Sequence, residues 1–254
     1  MRYKTSQRYE LKYVLSLDQY KAVHAEIAGR MEPDQHGDDW GRYPIVSLYF
    51  DTPERRAYWD KLDGVPNRRK VRVRVYGDSI ITPDTPSYVE IKHRLNNTMA
   101  KRRAVLPYAD AVAFDSFDDL RPGLSHADRA VLHEVHYLHR ILRLEPSCVV
   151  SYHRQAFNGG EPFSDLRVTF DSNLKGRTHE LTLLSTGYAH DHFVLPPDFC
   201  IMEVKANHSV PFWLTDIANR HRCTVRRFSK YCTTLERCHA LALKRWNVGT
   251  LERY

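Results

Sequence analysis

Apolar and charged residues alternate along several short segments of the chain, most clearly between positions 70 and 106. In 71–76 the valines fall on one parity and the arginines on the other. In segment 88–92 a glutamate and a lysine occupy one parity and a valine and an isoleucine the other. In 99–106 the basic residues Lys101 and Arg103 again share one parity. Because successive side chains of a strand point to opposite faces, each segment is predicted to be a strand with one charged and one apolar face.

The same alternation recurs before and after this region, so the chain is predicted to contain about eight strands. Between them lie helical signals. Ser16 is a predicted N-cap, with Gln19 completing a capping box, for a helix that ends near Gly29. Ser125 is a second predicted cap, inside a helical insert. The further strands are expected at 8–14, 45–51, 148–154, 166–171 and 200–205, and the other helices at 54–62, 108–145 (the insert), 211–220 and 229–246.

Whether the charged face meets solvent decides the fold. A half-solvated antiparallel sheet with its charged face outside is the simple alternative. Against it, arginines recur and each acid lies two residues from a lysine. Eight strands are about the number that closes a small barrel, and helices that cover the barrel would force the charged parity inward. We therefore expect one α+β domain spanning 1–254, a closed antiparallel β-barrel whose basic tunnel is surrounded by helices.

The inward-facing set of this barrel would be mostly cationic. Unpaired buried charges cost several kcal/mol each, so the tunnel is predicted to be wet and to hold a polyanion. Arginine forks and lysine ammonium groups bind phosphate oxygens, which favours a chain of phosphates. The interleaved carboxylates could bind Mg²⁺ or Mn²⁺, or serve only as ion pairs that space the cations. The predicted set contains Lys12, Arg72, Arg74, Lys92, Lys101, Arg103, Arg154, Arg167 and Lys205, together with Glu10, Glu90 and Glu203.

Composition agrees with a soluble globular protein that has an anionic partner. The 254 residues are 42% hydrophobic and 27% charged, with a net charge of +7 and a pI near 9.1. No apolar run has the length of a signal peptide or a membrane span, so a cytoplasmic location is expected. Five cysteines without a CxxC pair predict reduced thiols.

Two further chemistries have weaker support in the sequence. Four histidines in the helical insert have spacings that could hold a metal on one helix face, although no carboxylate completes a metalloprotease motif. Nucleic acid would also satisfy the basic pI, but base-stacking aromatics on the basic parity are few, so no nucleic-acid partner is expected. The histidines are His126, His133, His136 and His139.

An ordered series of short motifs resembles the catalytic domain of the vacuolar transporter chaperone (VTC) polyphosphate polymerases. That family belongs to the triphosphate tunnel metalloenzymes of the CYTH-like superfamily, whose fold is an antiparallel barrel with a basic lumen. The resemblance extends over almost the whole chain. The motifs are Arg72-Val-Arg74, Val89-Glu-Ile-Lys92, Lys101-Arg-Arg103, Tyr152-His-Arg-Gln-Ala-Phe157, Leu166-Arg-Val-Thr-Phe-Asp171, Met202-Glu-Val-Lys205 and Phe228-Ser-Lys230.

The resemblance implies an enzyme that transfers the γ-phosphoryl group of ATP to a growing polyphosphate chain, with Mn²⁺ or Mg²⁺ as cofactor. Glu203 would bind the metal, and Glu90 and Glu10 are further candidate ligands. Lys230 would close on the substrate from the start of the last helix. The phosphates would be held by Arg72, Arg74, Lys92, Lys101, Arg154 and Arg167, with Lys12, Arg103, Lys205 and Ser229 as additional phosphate-binding residues.

Two other functions are compatible with the same tunnel. One is hydrolysis of triphosphate or polyphosphate, although such enzymes usually carry a denser N-terminal run of glutamates than the single Glu10 found here. The other is a polyphosphate-binding module without turnover. The regulatory domain and membrane helices of the eukaryotic polymerases are not expected in this chain, and a membrane partner is left open.

Overall fold

The computed structural model describes residues 9–77, 80–96, 98–119, 123–184, 191–207 and 209–238. Most of these residues belong to one antiparallel sheet and the helices packed on it. The strands are β1 (Tyr9–Ser16), β2 (Glu32–Pro33), β3 (Arg42–Asp51), β4 (Asn67–Tyr76), β5 (Pro86–Leu95), β6 (Thr98–Pro107), β7 (Glu145–Asn158), β8 (Arg167–Arg177), β9 (His192–Phe193) and β10 (Phe199–Ala206). The helices are α1 (Leu17–Ala28), α2 (Arg56–Leu62), α3 (Tyr108–Val112), a 3₁₀-helix (Phe114–Asp119), α4 (His126–Leu142), α5 (Phe212–Arg220) and α6 (Lys230–Cys238).

Eight strands follow one another in the order β1-β10-β8-β7-β3-β4-β5-β6, while β2 and β9 pair with β7 and β8. The predicted strand number and the α+β class are confirmed, but a closed barrel is not. Strands β1 and β6 are the two ends of the hydrogen-bonded path in the described chain. The free edge of β1 is partly covered by the segment before α6, since Arg226 donates its backbone N–H to the Lys12 carbonyl at 2.7 Å. Lys92 of β5 nevertheless lies 3.5 Å from Glu10 of β1, so the sheet is curved until its two ends approach, without the hydrogen bonds that would close it into a cylinder.

The outer face of the sheet is apolar and lies under helices, as the alternation predicts. One cluster joins the apolar parity of β3 to β6 with α3, the 3₁₀-helix and α4, for example through Val73 and Leu132. A second joins β1, β8 and β10 with α1 and α5, for example through Val168, Ile27 and Ile217. Burial of these two layers turns the opposite, charged parity of each strand toward the inside of the curve.

Several helix boundaries follow from local signals and agree with the sequence. Ser16 accepts from the Gln19 backbone N–H while Gln19 bonds back to Ser16, which is the predicted capping box. Ser125 caps α4 through the N–H of Asp128. Helix α2 begins at Arg56, two residues later than expected, because the chain first makes a turn from Thr52. Of the last predicted helix, residues 239–246 lie outside the described residues.

Helix α6 does not cover the outside of the sheet. It packs on the inner face at one end, where a third apolar cluster combines strand residues such as Val150 and Ile201 with Phe228, Cys232 and Leu235. Val150 is opposite Ser47 and Ile201 is opposite Asp171, so they belong to the inner parity. None of the helices in the described chain is long and apolar enough to cross a membrane.

The buried carboxylate of Asp51, at the end of β3, connects α2 and α6. One oxygen, Oδ1, accepts from the N–H groups of Thr52 and Ala57, both at 2.8 Å, and Oδ2 accepts from the Tyr58 N–H at 3.2 Å. The Tyr231 hydroxyl of α6 donates to the same Oδ2 and also contacts Ser147. Asp51 thus replaces the missing side-chain cap of α2 and fixes α6 in place.

Asp51→Ala is expected to lower the free energy of unfolding by about 3 kcal/mol, because it leaves several buried donors without an acceptor. Urea denaturation of both proteins measures the difference. Ser16→Ala, which removes only a helix cap, is the control and should cost about 1 kcal/mol. Equal losses in the two variants would contradict a connecting role for Asp51.

Candidate functional site

Strand pairing brings the predicted charged residues together on the inner face. Lys12 lies opposite Glu203, and Glu10 lies opposite Lys205. Farther round the curve, Arg72 is opposite Glu90 and Lys92 is opposite Lys101. Directly opposed residues of an antiparallel pair share a face. The structure therefore assembles on one concave surface the cations and acids that are scattered between positions 10 and 230.

Glu90 is the anionic centre of one part of this surface and is only 1% exposed. Arg72 reaches Glu90 Oε2 through Nε at 2.7 Å and Nη2 at 2.6 Å, and Lys101 forms a salt bridge with Oε1. Burial favours the protonated acid, but Arg72, Arg74 and Lys101 outweigh it and lower the pKa of Glu90 to about 2. Glu90 therefore carries its charge at neutral pH and holds two cations in place.

Arg74 is buried, at 4% exposure, and its hydrogen-bond partners are all neutral. Nε donates to Ser47 Oγ at 3.0 Å, Nη2 to the Tyr152 hydroxyl at 3.2 Å and Nη1 to the Tyr76 hydroxyl at 3.5 Å. Among the described residues it forms no salt bridge with a carboxylate. Nearby Glu90 stabilises its charge without contacting it, and the pKa of Arg74 is raised even though burial opposes this. Because no carboxylate is bonded to it, the Arg74 guanidinium is positioned to contact an added anion.

A second charged group lies where β1, β10 and β5 approach one another. Lys12 is 3.1 Å from Glu10, Lys205 is 2.9 Å from Glu203, and Lys92 spans from β5 to Glu10 at 3.5 Å. Burial alone would raise the pKa of both glutamates, but the lysines lower the pKa of Glu10 below its usual value and that of Glu203 well below it. Burial lowers the pKa of Lys92 to about 8, with Lys12 acting in the same direction and Glu10 against it.

Asp171 of β8 links the sheet to α6. Its fully buried carboxylate accepts from Arg154 Nε at 2.7 Å and from Arg154 Nη2 at 2.9 Å, and Lys230 Nζ donates to it at 2.6 Å. Burial opposes ionisation, but the two cations lower the pKa of Asp171 to about 2. The ring of Tyr152 lies beneath both cations, 5.5 Å from Arg154 and 4.7 Å from Lys230. The two predicted substrate ligands are thus held by one acid that was not among the predicted site residues.

Arg167 lies on the predicted face, but its guanidinium is already occupied. It donates to Asn158 Oδ1 at 2.7 Å and to the Tyr43 hydroxyl at 3.1 Å, and forms a salt bridge with Asp34. Burial would raise the pKa of Asp34, but Arg167 lowers it. Asp34 comes from the acidic loop before β3, a position that no pattern in the sequence connects with β8. A phosphate-binding role for Arg167 stays a prediction.

Three more residues mark the two ends of the surface. Ser229 accepts from Lys70 Nζ at 3.2 Å beside α6. Lys70 has the same parity as Arg72 and Arg74, and this regular spacing could have identified it as a site residue. Arg103, on the edge strand β6, is exposed and lies over the Tyr88 ring at 4.9 Å, away from α6.

The donor set fits a divalent cation only in part. Among the described residues, no group of three or more His, Cys, Asp or Glu side chains converges closely enough to hold a metal. Glu10 and Glu203 are near enough that Glu203 raises the pKa of Glu10 against the effect of the lysines. Mg²⁺ is commonly bound by one or two protein carboxylates, with phosphate oxygens of the substrate filling further coordination positions. Glu90, paired with Arg72 and Lys101, has the contacts of an ion pair, and its metal role stays a prediction.

Two histidines of the insert, His136 and His139, make packing contacts with neighbouring backbone. Nδ1 of His136 lies 2.8 Å from the Phe114 carbonyl, and Nδ1 of His139 lies 2.8 Å from the Leu144 carbonyl. These contacts connect α4 to the 3₁₀-helix and to the start of β7. They give His136 and His139 a structural role.

Comparison with known proteins identifies the family. The VTC domain model matches residues 7–239, and the chain belongs to the VTC domain family. The chain is similar to the solved structure of the putative adenylyl cyclase HpAC1 from Hippeastrum, for which a dominant triphosphatase activity is described. That match has 11% identity and a TM-score of 0.53, and covers 91% of this chain and 96% of the other.

A second structural match has a lower score. The PH1819 protein from Pyrococcus horikoshii OT3 matches with 10% identity and a TM-score of 0.45, covering 91% of this chain and 99% of the other. The search of curated protein sequences gives no match. The likeness to HpAC1 shows a shared fold.

Arg74→Met is expected to weaken tripolyphosphate binding about 100-fold while changing the free energy of unfolding by no more than about 1 kcal/mol, because it removes a buried cation that forms no salt bridge among the described residues. Titration calorimetry and urea denaturation measure the two quantities. Glu90→Gln should do the opposite, lowering stability by about 2 kcal/mol and retaining or strengthening binding. A parallel loss of stability and binding in Arg74→Met would contradict this interpretation.

Lys92 is expected to make polyanion binding pH-dependent. Its ammonium is mostly protonated at pH 7 and mostly neutral at pH 9, so affinity falls as pH rises through about 8. Between pH 7 and 9 the wild type should lose about tenfold more affinity for tripolyphosphate than Lys92→Arg, whose side chain stays charged. Protonation of tripolyphosphate affects both proteins equally, so it cancels in this comparison. Identical pH profiles would contradict the assignment.

Proposed function

We propose that the chain is a metal-dependent polyphosphate polymerase that transfers the γ-phosphoryl group of ATP to the end of a polyphosphate chain on its concave basic face. Membership of the VTC domain family supports activity on polyphosphate or triphosphate. A second candidate, hydrolysis of triphosphate, is favoured by the activity described for HpAC1, which shares the fold. Polyphosphate binding without turnover is the third.

The observation that carries the proposal is the surplus of positive charge on the inner face. Its carboxylates are already paired with cations, whereas buried Arg74 has only hydroxyl partners. A chain of phosphates supplies several negative charges in a row. Arginine forks bind two phosphate oxygens at once, so the surface is suited to an extended phosphate chain rather than to a single anion.

Phosphoryl transfer needs positioning and charge stabilisation more than a protein nucleophile. The bond from the γ-phosphorus to its bridging oxygen breaks, a bond to a terminal oxygen of the acceptor chain forms, and ADP leaves. Arg72, Arg74 and Arg154 would hold the reacting phosphates in line, and Lys230 would stabilise charge from the α6 side. Glu90 fixes Arg72 beforehand, Asp171 fixes Arg154 and Lys230, and hydroxyl groups orient Arg74, so little reorganisation is needed during transfer.

Glu203, with Glu10, would hold the divalent cation together with phosphate oxygens. A bound Mn²⁺ or Mg²⁺ supplies charge neutralisation on the phosphates. In the absence of ligand each of these glutamates pairs with a lysine, and substrate phosphates would take over the lysines. Lys12, Lys92 and Lys205 could then act as phosphate ligands while the acids turn to the cation.

The protonation states favour transfer over hydrolysis. Water as acceptor benefits from a general base with a pKa near neutral. The carboxylates do not fit, since Glu90 and Asp171 have pKa values of about 2 and those of Glu10 and Glu203 are also lowered, which leaves Lys92, with a pKa of about 8, as a candidate base. A terminal phosphate oxygen is already anionic and requires no such base. This difference is the reason to place the polymerase ahead of the hydrolase.

The test is incubation of the protein with ATP and Mn²⁺, with polyphosphate measured by gel and free phosphate measured in parallel. The wild type should form long chains, and Glu203→Ala and Arg74→Met should reduce the rate at least 100-fold, because they remove a metal ligand and a transition-state contact. Arg102→Met is the matched control. Arg102 is exposed on the opposite parity of β6 and pairs with Glu134, so its loss should leave the rate unchanged.

Each outcome selects one function. Release of phosphate from ATP or tripolyphosphate without chain growth would replace the polymerase by a hydrolase. Tight binding of polyphosphate without either product would leave a binding module. Equal loss of activity in Arg102→Met and Arg74→Met would contradict the location of the site on the concave face.

A further inference from the structure

Three tyrosines lie side by side at the end of the concave face that is farthest from α6. Tyr43, Tyr76 and Tyr88 are on the neighbouring strands β3, β4 and β5. The ring centroids of Tyr43 and Tyr76 are 6.0 Å apart, and those of Tyr76 and Tyr88 are 5.2 Å apart in an edge-to-face arrangement. All three side chains are half-buried, so they form a ridge that is still accessible from this end. We call this group the tyrosine ridge.

The ridge is continuous with the phosphate-binding cations. The Arg74 guanidinium lies 5.6 Å from the Tyr76 ring centre and donates to its hydroxyl. Exposed Arg103 covers the Tyr88 ring at 4.9 Å. Tyr43, held by Asp34 and Arg167, supports Tyr76 from the other side. Aromatic rings and arginine planes next to a phosphate site are the groups on which nucleobases stack.

The opposite end of the surface is covered by α6 in the described part of the chain. There α6 packs on the apolar part of the inner face, and Lys70 at the start of β4 contacts Ser229 and Tyr231. A nucleotide whose terminal phosphate approaches Arg72 must therefore keep its base toward the ridge. From Arg72 to Tyr76 is four residues of strand, roughly 13 Å, which is comparable with the length of a nucleoside triphosphate from terminal phosphate to base.

We infer that the tyrosine ridge is the nucleobase site of the protein: the purine of ATP stacks on the ring of Tyr88, Tyr76 meets the edge of the base, and the triphosphate lies on the arginines of β4. The inference rests on the proposed function, because it requires a nucleotide as the phosphoryl donor. It explains how one basic surface distinguishes the nucleotide from the polyphosphate acceptor, which has the same phosphates and no base. Arg103 is accordingly assigned to the base end of the nucleotide, clamping it against Tyr88.

The experiment compares the binding of ATP and of tripolyphosphate by calorimetry, in the presence of Mg²⁺. Tyr88→Leu should weaken ATP binding about tenfold and leave tripolyphosphate binding within about twofold, since a base stacked on an aromatic ring contributes about this much. Tyr88→Phe keeps the ring and should bind ATP like the wild type. Tyr137→Leu, at an exposed position on α4, is the matched control and should change neither affinity.

The possible outcomes distinguish failure of the nucleobase site from failure of the proposed function on which it rests. If Tyr88→Leu lowers both affinities equally, or neither, the base site is wrong while the phosphate site stands. If Tyr88→Phe loses as much ATP affinity as Tyr88→Leu, the hydroxyl rather than the ring is responsible and stacking is overturned. If the wild type binds neither ATP nor tripolyphosphate, the proposed function fails, and the base site fails with it.

Discussion

The constraint on which the structure depends is that a concave surface carries more positive than negative charge. Several acids on it are shared between two cations: Glu90 lies between Arg72 and Lys101, and Asp171 lies between Arg154 and Lys230. A shared carboxylate holds both cations in place and lowers the free-energy cost of burying them, but it neutralises only one of the two charges. The excess positive charge is clearest at buried Arg74, since only hydroxyl groups accept hydrogen bonds from it.

The rest of the fold compensates for the destabilising effect of this charged surface. Two apolar layers, one under α4 and one under α1 and α5, bury the other parity of every long strand. Their burial supplies the hydrophobic free energy that offsets the charged interior. The third apolar cluster, under α6, closes one end and brings Lys230 beside Asp171. Stability and the proposed binding of phosphates are thus assigned to opposite faces of the same strands.

Fixing the cations in advance also bears on chemistry. Phosphoryl transfer gains most from charges that are already oriented where the phosphates will lie. The ion pairs hold the arginines of β4 and β7 in place before any ligand arrives, whereas Lys12, Lys92 and Lys205 have lysine–glutamate contacts that a phosphate and a divalent cation could exchange. The surface therefore combines a rigid arginine part with a lysine–glutamate part that can rearrange.

The sequence by itself determined the strand faces, the helix caps and most of the charged set, because each depends on local periodicity or on residues three positions apart. The parity of 71–76, 88–92 and 200–205 was enough to place Arg72, Glu90 and Glu203 on one surface. Only the tertiary structure decided whether the sheet closes, since that depends on curvature accumulated over eight strands. It also placed α6 inside, because an amphipathic pattern shows that a helix has an apolar face but not which surface covers it. The pairings of Arg167 with Asp34 and of Lys230 with Asp171 join residues far apart in the chain, and no local pattern encodes them.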